Sequence, residues 1–283
     1  MDFINIRVMS YIQLIEDEIK SYRRLNVDTK IEKESYIIGA GDSYAAALVI
    51  EGKTKRKAIA LDPYEALEIP LDREIIIVSV SGKTKYNIEV AKRAKKEDKK
   101  VISITANKDS PLAKESDEII LLPYSSRTPL PGTLSFLLTL SALYSMFNLE
   151  EDTEDTEGII LNDNPFFVGK EENYGIAYFA SLKMNEIFGS PANYERLELF
   201  VHSPIFSTRG RQIVILSSGD ERERTLSKLV NFTDVYITEC KGAFCNAFFI
   251  IKSVINTMKK RNWDRIYFME DKQILNISST MIY

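Results

Sequence analysis

The sequence predicts an α/β protein made of two tandem three-layer α/β/α units, each built on a parallel sheet. Three observations predict it. Short β-branched runs alternate with helical patterns, as in residues 74–92 (EIIIVSVSGKTKYNIEVAK). There a run at 75–78 suits a strand buried on both faces, and an amphipathic pattern (Tyr86, Ile88, Val90, Ala91, Ala94) follows at once. The turns that close the strands are rich in glycine and hydroxyl residues. The whole layout then occurs a second time.

In order along the chain, residues 3–24 read as an amphipathic helix, without the basic-then-apolar layout of a signal segment. Residues 35–38 read as a strand ending in Gly39-Ala40-Gly41-Asp42-Ser43, followed by a small-residue helix at 44–50. Glycines 39 and 41 permit a sharp turn, and Tyr44 stands where a dinucleotide fingerprint needs a small residue. A short strand at 57–61 precedes the 74–92 unit. Strands at 101–105 and 118–122 follow, and an apolar helix at 134–147 closes the first half. Residues 150–158 (EEDTEDTEG) break the periodicity and read as an acidic linker between a first domain at 1–150 and a second at 159–283. Residues 166–174 and their helix repeat 36–44, 212–220 repeat the hydroxyl turn, and 234–238 repeat 100–105. An apolar helix at 243–259 closes the second half.

Composition bounds the function. Among 283 residues, 45% are hydrophobic and 28% charged, with net charge −4, which describes a globular protein without a polyanion-binding surface. No apolar run approaches the ~20 residues of a membrane span. Two cysteines, Cys240 and Cys245, are too few for a disulfide scaffold or a metal site, so the expectation is a metal-free protein of the reducing cytoplasm. Neither nucleic acid nor membrane is an expected partner.

The order strand, hydroxyl turn, helix places Ser79, Ser81 and Thr84 at a helix N-terminus, where unpaired amides and the dipole favour an anion such as phosphate. Alternatively these hydroxyls merely cap the helix. In the second copy Asp220 and Glu221 stand where Lys83 and Thr84 stood, and their charge would repel phosphate, so the anion site should belong to the first copy. Lys183 and Glu186, three apart, share a helix face. They read as a surface ion pair, or as a carboxylate base beside a cation that stabilises developing negative charge. His202 is the only histidine; a lone histidine is usually structural or simply solvated. Arg127 lies on a proline-containing loop, where it either reaches a ligand bidentately or faces solvent.

Together these motifs resemble the double SIS-domain (flavodoxin-like) phosphosugar isomerase family, in particular the isomerase domain of glucosamine-6-phosphate synthase and the archaeal glucosamine-6-phosphate deaminases. The resemblance covers residues 35 to about 270. It rests on Gly41-Asp42-Ser43 for the family's G-[TS]-S loop and Ser79-Val80-Ser81-Gly82-Lys83-Thr84 for its S-x-S-G-x-T loop. Residues 107–113 match N-x-x-x-S-x-L-A, 181–186 match the A-L-K-L-K-E helix, and 198–204 match E-x-x-H-[GS]-P. It implies that Gly41, Ser43, Ser79, Ser81 and Thr84 hold a sugar phosphate. It further implies that Glu186 moves a proton between C1 and C2 through an enediol(ate) and that Lys183 stabilises that charge. His202 would help open the sugar ring from the neighbouring subunit of a homodimer, with no cofactor. The alternatives it leaves are an amino-sugar-phosphate deaminase and a non-catalytic sugar-phosphate sensor. Three departures stand out: Lys83 replaces an acid, Phe179 replaces a glutamate, and the C-terminal tail lacks the synthase's Schiff-base lysine, leaving Ser278 or Thr280 as candidate hydroxyls. With no glutaminase segment, glutamine-dependent synthesis is not expected of this chain.

Overall fold

The computed structural model describes residues 10–126, 128–152 and 154–283. The first half carries strands β1 (Ser35–Ile38), β2 (Ala58–Leu61), β3 (Glu74–Val78), β4 (Val101–Thr105) and β5 (Glu118–Leu121). Its helices are α1 (Tyr11–Ser21), α2 (Asp42–Lys53), α3 (Pro63–Glu68), α4 (Lys85–Lys96), α5 (Pro111–Lys114) and α6 (Leu134–Met146). The second half carries β6 (Phe166–Gly169), β7 (Asn193–Arg196), β8 (Gln212–Leu216) and β9 (Asp234–Ile237). Its helices are α7 (Glu172–Lys183), α8 (Leu197–His202), α9 (Glu221–Thr225), α10 (Ala243–Lys260), α11 (Tyr267–Glu270) and α12 (Lys272–Ile282).

All strand pairs are parallel. The five-stranded sheet has order β2-β1-β3-β4-β5 and the four-stranded sheet β7-β6-β8-β9, so the second repeats the first without its last strand. The period-2 alternation of a strand sends alternate residues to opposite faces. On the first sheet Tyr36, Ile38, Ile75 and Ile77 face an outer layer of α3, α4 and α5, while Ile37, Ile76 and Val78 face inward. The inner faces of both sheets share one apolar cluster with α2, α6, α7 and α10, and this explains why those helices carry apolar residues on nearly every side.

Helices α2 and α7 approach each other closely. A Cβ on Gly175 of α7 would lie 2.6 Å from the Val49 amide nitrogen and 2.7 Å from the Ala45 carbonyl oxygen of α2. With no side chain there, the two helix backbones touch, and the start of α2 is brought to the end of α7. Phe136 of α6 stacks on Phe179 of α7, 3.9 Å between ring centroids.

At four points the structure adds to or differs from the sequence reading. The first helix, read as 3–24, ends at Ser21 where it is described, and residues 3–9 lie outside the described residues. Strand β7 (NYER) has no apolar run to announce it; as a sheet edge it is only partly buried. The acidic segment is packed at its start, while Glu154, Asp155 and Glu157 are exposed. Glu151 accepts from Tyr22 Oη, and Asp152 accepts from the amides of Phe244 and Cys245 at the α10 N-terminus. Cys240 and Cys245 are joined in a single disulfide across the turn entering α10, a bond that the expectation of a reducing compartment does not anticipate. Among the described residues no helix is long and apolar enough to cross a membrane.

Replacing Gly175 by alanine should destabilise the fold. Alanine gains about 1 kcal/mol of helix propensity, but its methyl collides with backbone that cannot rotate away, and such overpacking costs about 1–3 kcal/mol. Urea unfolding of Gly175→Ala is expected to show a lower midpoint; an unchanged or raised midpoint would mean that α2 and α7 lie further apart.

Candidate active site

In a sheet of order 2-1-3-4-5 the direction of strand succession reverses between β1 and β3, and ligands bind at the carboxyl ends of the strands beside that point. The loop Gly39–Ser43 leaves β1 there and the hydroxyl turn 79–84 leaves β3. In the turn, Ser79 Oγ lies 3.1 Å from Thr84 Oγ1 and accepts from the Gly82 amide at 3.2 Å, while Ser81 Oγ accepts from the Lys83 amide at 3.3 Å. Thr84 is the N-cap of α4, yet its side chain makes no capping bond. Among the described residues, the amides of Lys85, Tyr86 and Asn87 have no acceptor. The bonds are local to the turn, so the simple capping alternative does not account for them. Lys83 is exposed. Thr105 Oγ1 and the Ala106 amide both donate to the Val80 carbonyl and brace the turn from β4.

The second hydroxyl turn is occupied by the chain itself. Glu223, 1% exposed, accepts from Ser217 Oγ at 2.7 Å, Ser218 Oγ at 2.8 Å and the Ser218 amide at 3.0 Å. Asp220 is held outside by Lys170 and Arg222. The asymmetry expected between the copies therefore has a more specific cause than repulsion by Asp220 and Glu221, because a buried carboxylate fills the second turn.

Glu186 lies on a π-helical turn (Met184–Phe188) that continues α7 and ends at Gly189 in the left-handed region, φ +63°. The Trp263 indole donates to the Ile187 carbonyl at 2.8 Å and holds this widened turn. Such turns concentrate at functional sites. Lys183 is fully buried, 0% exposed. Its Nζ donates to Glu186 Oε2 at 2.5 Å and to Asp42 Oδ2 at 2.8 Å, and it lies 5.1 Å from the centre of the Phe179 ring. The Glu186 side chain stays 31% exposed and lines a cavity of about 450 Å³ with Gly132, Asn185, Tyr267, Ser278 and Ser279. Helix α12 forms one wall. Ser278 faces that cavity, whereas Thr280 Oγ1 donates to the Asn276 carbonyl.

The sequence-expected residues are thus only partly gathered. Lys183 and Glu186 meet at the cavity, and Gly41, Ser43, Ser79, Ser81 and Thr84 share the strand-end rim. His202 does not join them: its side chain is 70% exposed and its Nε2 lies 3.2 Å from Glu198 Oε1. Arg127 lies outside the described residues.

Asp42 was not singled out from the sequence. The available signal was an acid, Asp42, in the middle of the loop matched above to a G-[TS]-S motif. Burial pushes its carboxyl up to about 7; the Lys183 ammonium opposes the rise and the Glu186 charge adds to it. For Lys183, burial acts to lower the pKa, but the charges and hydrogen bonds of Asp42 and Glu186 outweigh it and hold the ammonium above its ordinary value.

Residues 31–149 match the SIS domain family. Two curated relatives are each described as glutamine–fructose-6-phosphate aminotransferase (isomerizing). The one from Clostridium tetani is 25% identical over 279 residues, covering 78% of this chain and 46% of the relative. That from Caldanaerobacter subterraneus is 24% identical over 274 residues, covering 81% and 44%. The chain spans about half the length of the curated relatives it matches. Among solved structures, a glucosamine-6-phosphate deaminase from Thermotoga maritima superposes with a TM-score of 0.65 at 20% identity, covering 88% of this chain and 91% of that one. A tagatose-6-phosphate ketose/aldose isomerase from Escherichia coli gives 0.62 at 14% identity, covering 89% and 85%. These structures share the fold: α/β with parallel sheets.

The raised carboxyl has a stability consequence with a definite sign. Unfolded, Asp42 ionises near 4; folded, near 7. Between these values the folded chain keeps a proton that the unfolded chain has lost. The stabilising contribution is therefore whole below about 4 and is lost as pH rises to about 7. Comparing wild type with Asp42→Asn by urea unfolding from pH 4.5 to 8, wild type should lose stability relative to the variant up to about pH 7. The difference should be flat above that; a pH-independent difference would contradict the assignment.

Proposed function

We propose that this protein is a phosphosugar isomerase, interconverting an aldose and a ketose sugar 6-phosphate. The phosphate is held at the switch point by the hydroxyls of Ser43, Ser79, Ser81 and Thr84 and by amides at the α2 and α4 N-termini, beside Gly41. Glu186 takes the proton from the carbon next to the carbonyl and returns it to the neighbouring carbon, while the hydroxyl proton on the first carbon's oxygen passes to the former carbonyl oxygen. The enediolate oxygen gains negative charge as this happens, and the Lys183 ammonium, shielded from water, stabilises it. The observation that carries the reading is Lys183 itself: a fully buried ammonium at hydrogen-bond distance from a carboxylate that opens onto a cavity. A surface ion pair would have left it in solvent.

His202 assists ring opening from a second copy of the chain in a homodimer. Its surroundings support this, since Leu199, Val201 and Phe206 expose apolar side chains around it. A second reading, an amino-sugar-phosphate deaminase, draws on one further observation. Two carboxylates face one lysine, and the remaining negative charge suits a substrate that brings an ammonium.

Three outcomes separate these readings and the third, a sensor. The isomerase exchanges the C2 proton of a hexose 6-phosphate with solvent deuterium, read by NMR, and Glu186→Gln abolishes exchange while sugar-phosphate binding persists. The deaminase releases ammonia from glucosamine 6-phosphate. A protein that binds sugar phosphates and does neither is a sensor. Ser79→Ala with Ser81→Ala should weaken sugar-phosphate binding by about 10-fold or more, since hydrogen bonds to charged groups contribute about 1.5–3 kcal/mol each; unchanged affinity would remove the phosphate assignment.

The shared site has its own test. Mixing His202→Ala and Glu186→Gln chains, each inactive alone, should restore about a quarter of wild-type exchange, because half the dimers are mixed and each of those has one intact site. No recovery, with subunit exchange verified, would place the histidine in the same chain or outside the reaction.

A further inference from the structure

Asp42 takes no part in the proton transfer, yet it is the carboxylate that reaches from the first half of the chain to the lysine of the second. Three observations bear on what it does. Its Oδ2 accepts from Lys183 Nζ at 2.8 Å, so the one ammonium bonds both Asp42 and Glu186. Its Oδ1 is buried and has no hydrogen-bond partner among the described residues, a cost that a neutral threonine or serine would not incur. Finally, Gly132, on the cavity wall, packs against this carboxylate with no side chain between: a Cβ there would lie 2.0 Å from Asp42 Oδ2.

An ammonium bonded to a single carboxylate holds that carboxylate and weakens it as a base. A second carboxylate bonded to the same ammonium divides the attraction. Asp42 is also the residue before Ser43, in the turn assigned to the phosphate, so it ties that turn to the lysine.

We propose that Asp42 is a positioning residue acting through Lys183: it anchors the ammonium from the first half, so that Glu186 is free to leave it and act as the base. The inference rests on the isomerase reading. The groups facing Asp42 are Lys183 and Glu186 from α7 and its π turn, the Tyr178 phenol of α7, and Gly132 at the entry to α6. Of these only Lys183 is a cation.

The test uses Asp42→Asn, of the same shape without the charge, and Asp42→Thr, the residue type of related loops, as the second variant should the first not fold. The rate of C2 exchange should fall about 10- to 100-fold, the range seen when a group orienting a functional ligand is removed. KM should change far less than kcat. The high-pH limb of the rate profile should move to lower pH, because Lys183 has lost one of its two anions and gives up its proton sooner. A second readout needs no substrate: in ¹⁵N-lysine-labelled protein, the Lys183 ammonium resonance should titrate at lower pH in the variant than in wild type. A slower variant with an unmoved limb and an unmoved Lys183 titration would make Asp42 merely structural and overturn the proposal, as would an unaffected rate. If wild type turns over no sugar phosphate, the isomerase reading fails by itself, and the lysine titration still decides whether Asp42 governs Lys183.

Discussion

The structure depends on one buried cation. The Lys183 ammonium is fully buried and bonds a carboxylate from each half of the chain, Asp42 at the start of α2 and Glu186 on the π turn after α7. Burying a lone ammonium costs several kcal/mol, so it requires partners. Those partners meet only because α2 and α7 cross without a side chain at Gly175. The helix contact at the middle of the molecule thereby sets the geometry of the site at its edge.

The two halves repeat one plan and have parted in use. Both place a hydroxyl turn at the carboxyl end of the third strand of the repeat. In the first half the turn's hydroxyls bond only within the turn, and the amides that follow have no acceptor among the described residues. In the second, Glu223 occupies the equivalent donors. A carboxylate and a phosphate oxygen make the same demands on hydroxyl and amide donors, so an internal carboxylate is an effective plug. The second half contributes the lysine and the base instead.

Much of the architecture was legible because it obeys local rules. The apolar four- and five-residue runs at β1, β3, β4 and β8 became strands buried on both faces. Strand β7 did not announce itself, because an edge strand need not be apolar. The acidic stretch after residue 150 read as an interdomain linker because charge is its only local feature. Its packing on α10 depends on an N-terminus distant in the chain that needs acceptors. The pairing of Cys240 with Cys245 likewise arises from the turn that places their Cα atoms 5.5 Å apart.

By itself the sequence determined the α/β class, the internal repeat, the hydroxyl turn and the i, i+3 pairing of Lys183 with Glu186. Each of these follows from periodicity or spacing within a single element. Only the tertiary structure decided that Lys183 is buried rather than exposed, that Asp42 is its second partner 141 residues away in the chain, and that His202 stands apart from both within one chain. The physical reason is that burial and long-range ion pairing are properties of how helices stack, and no segment of sequence carries that information alone.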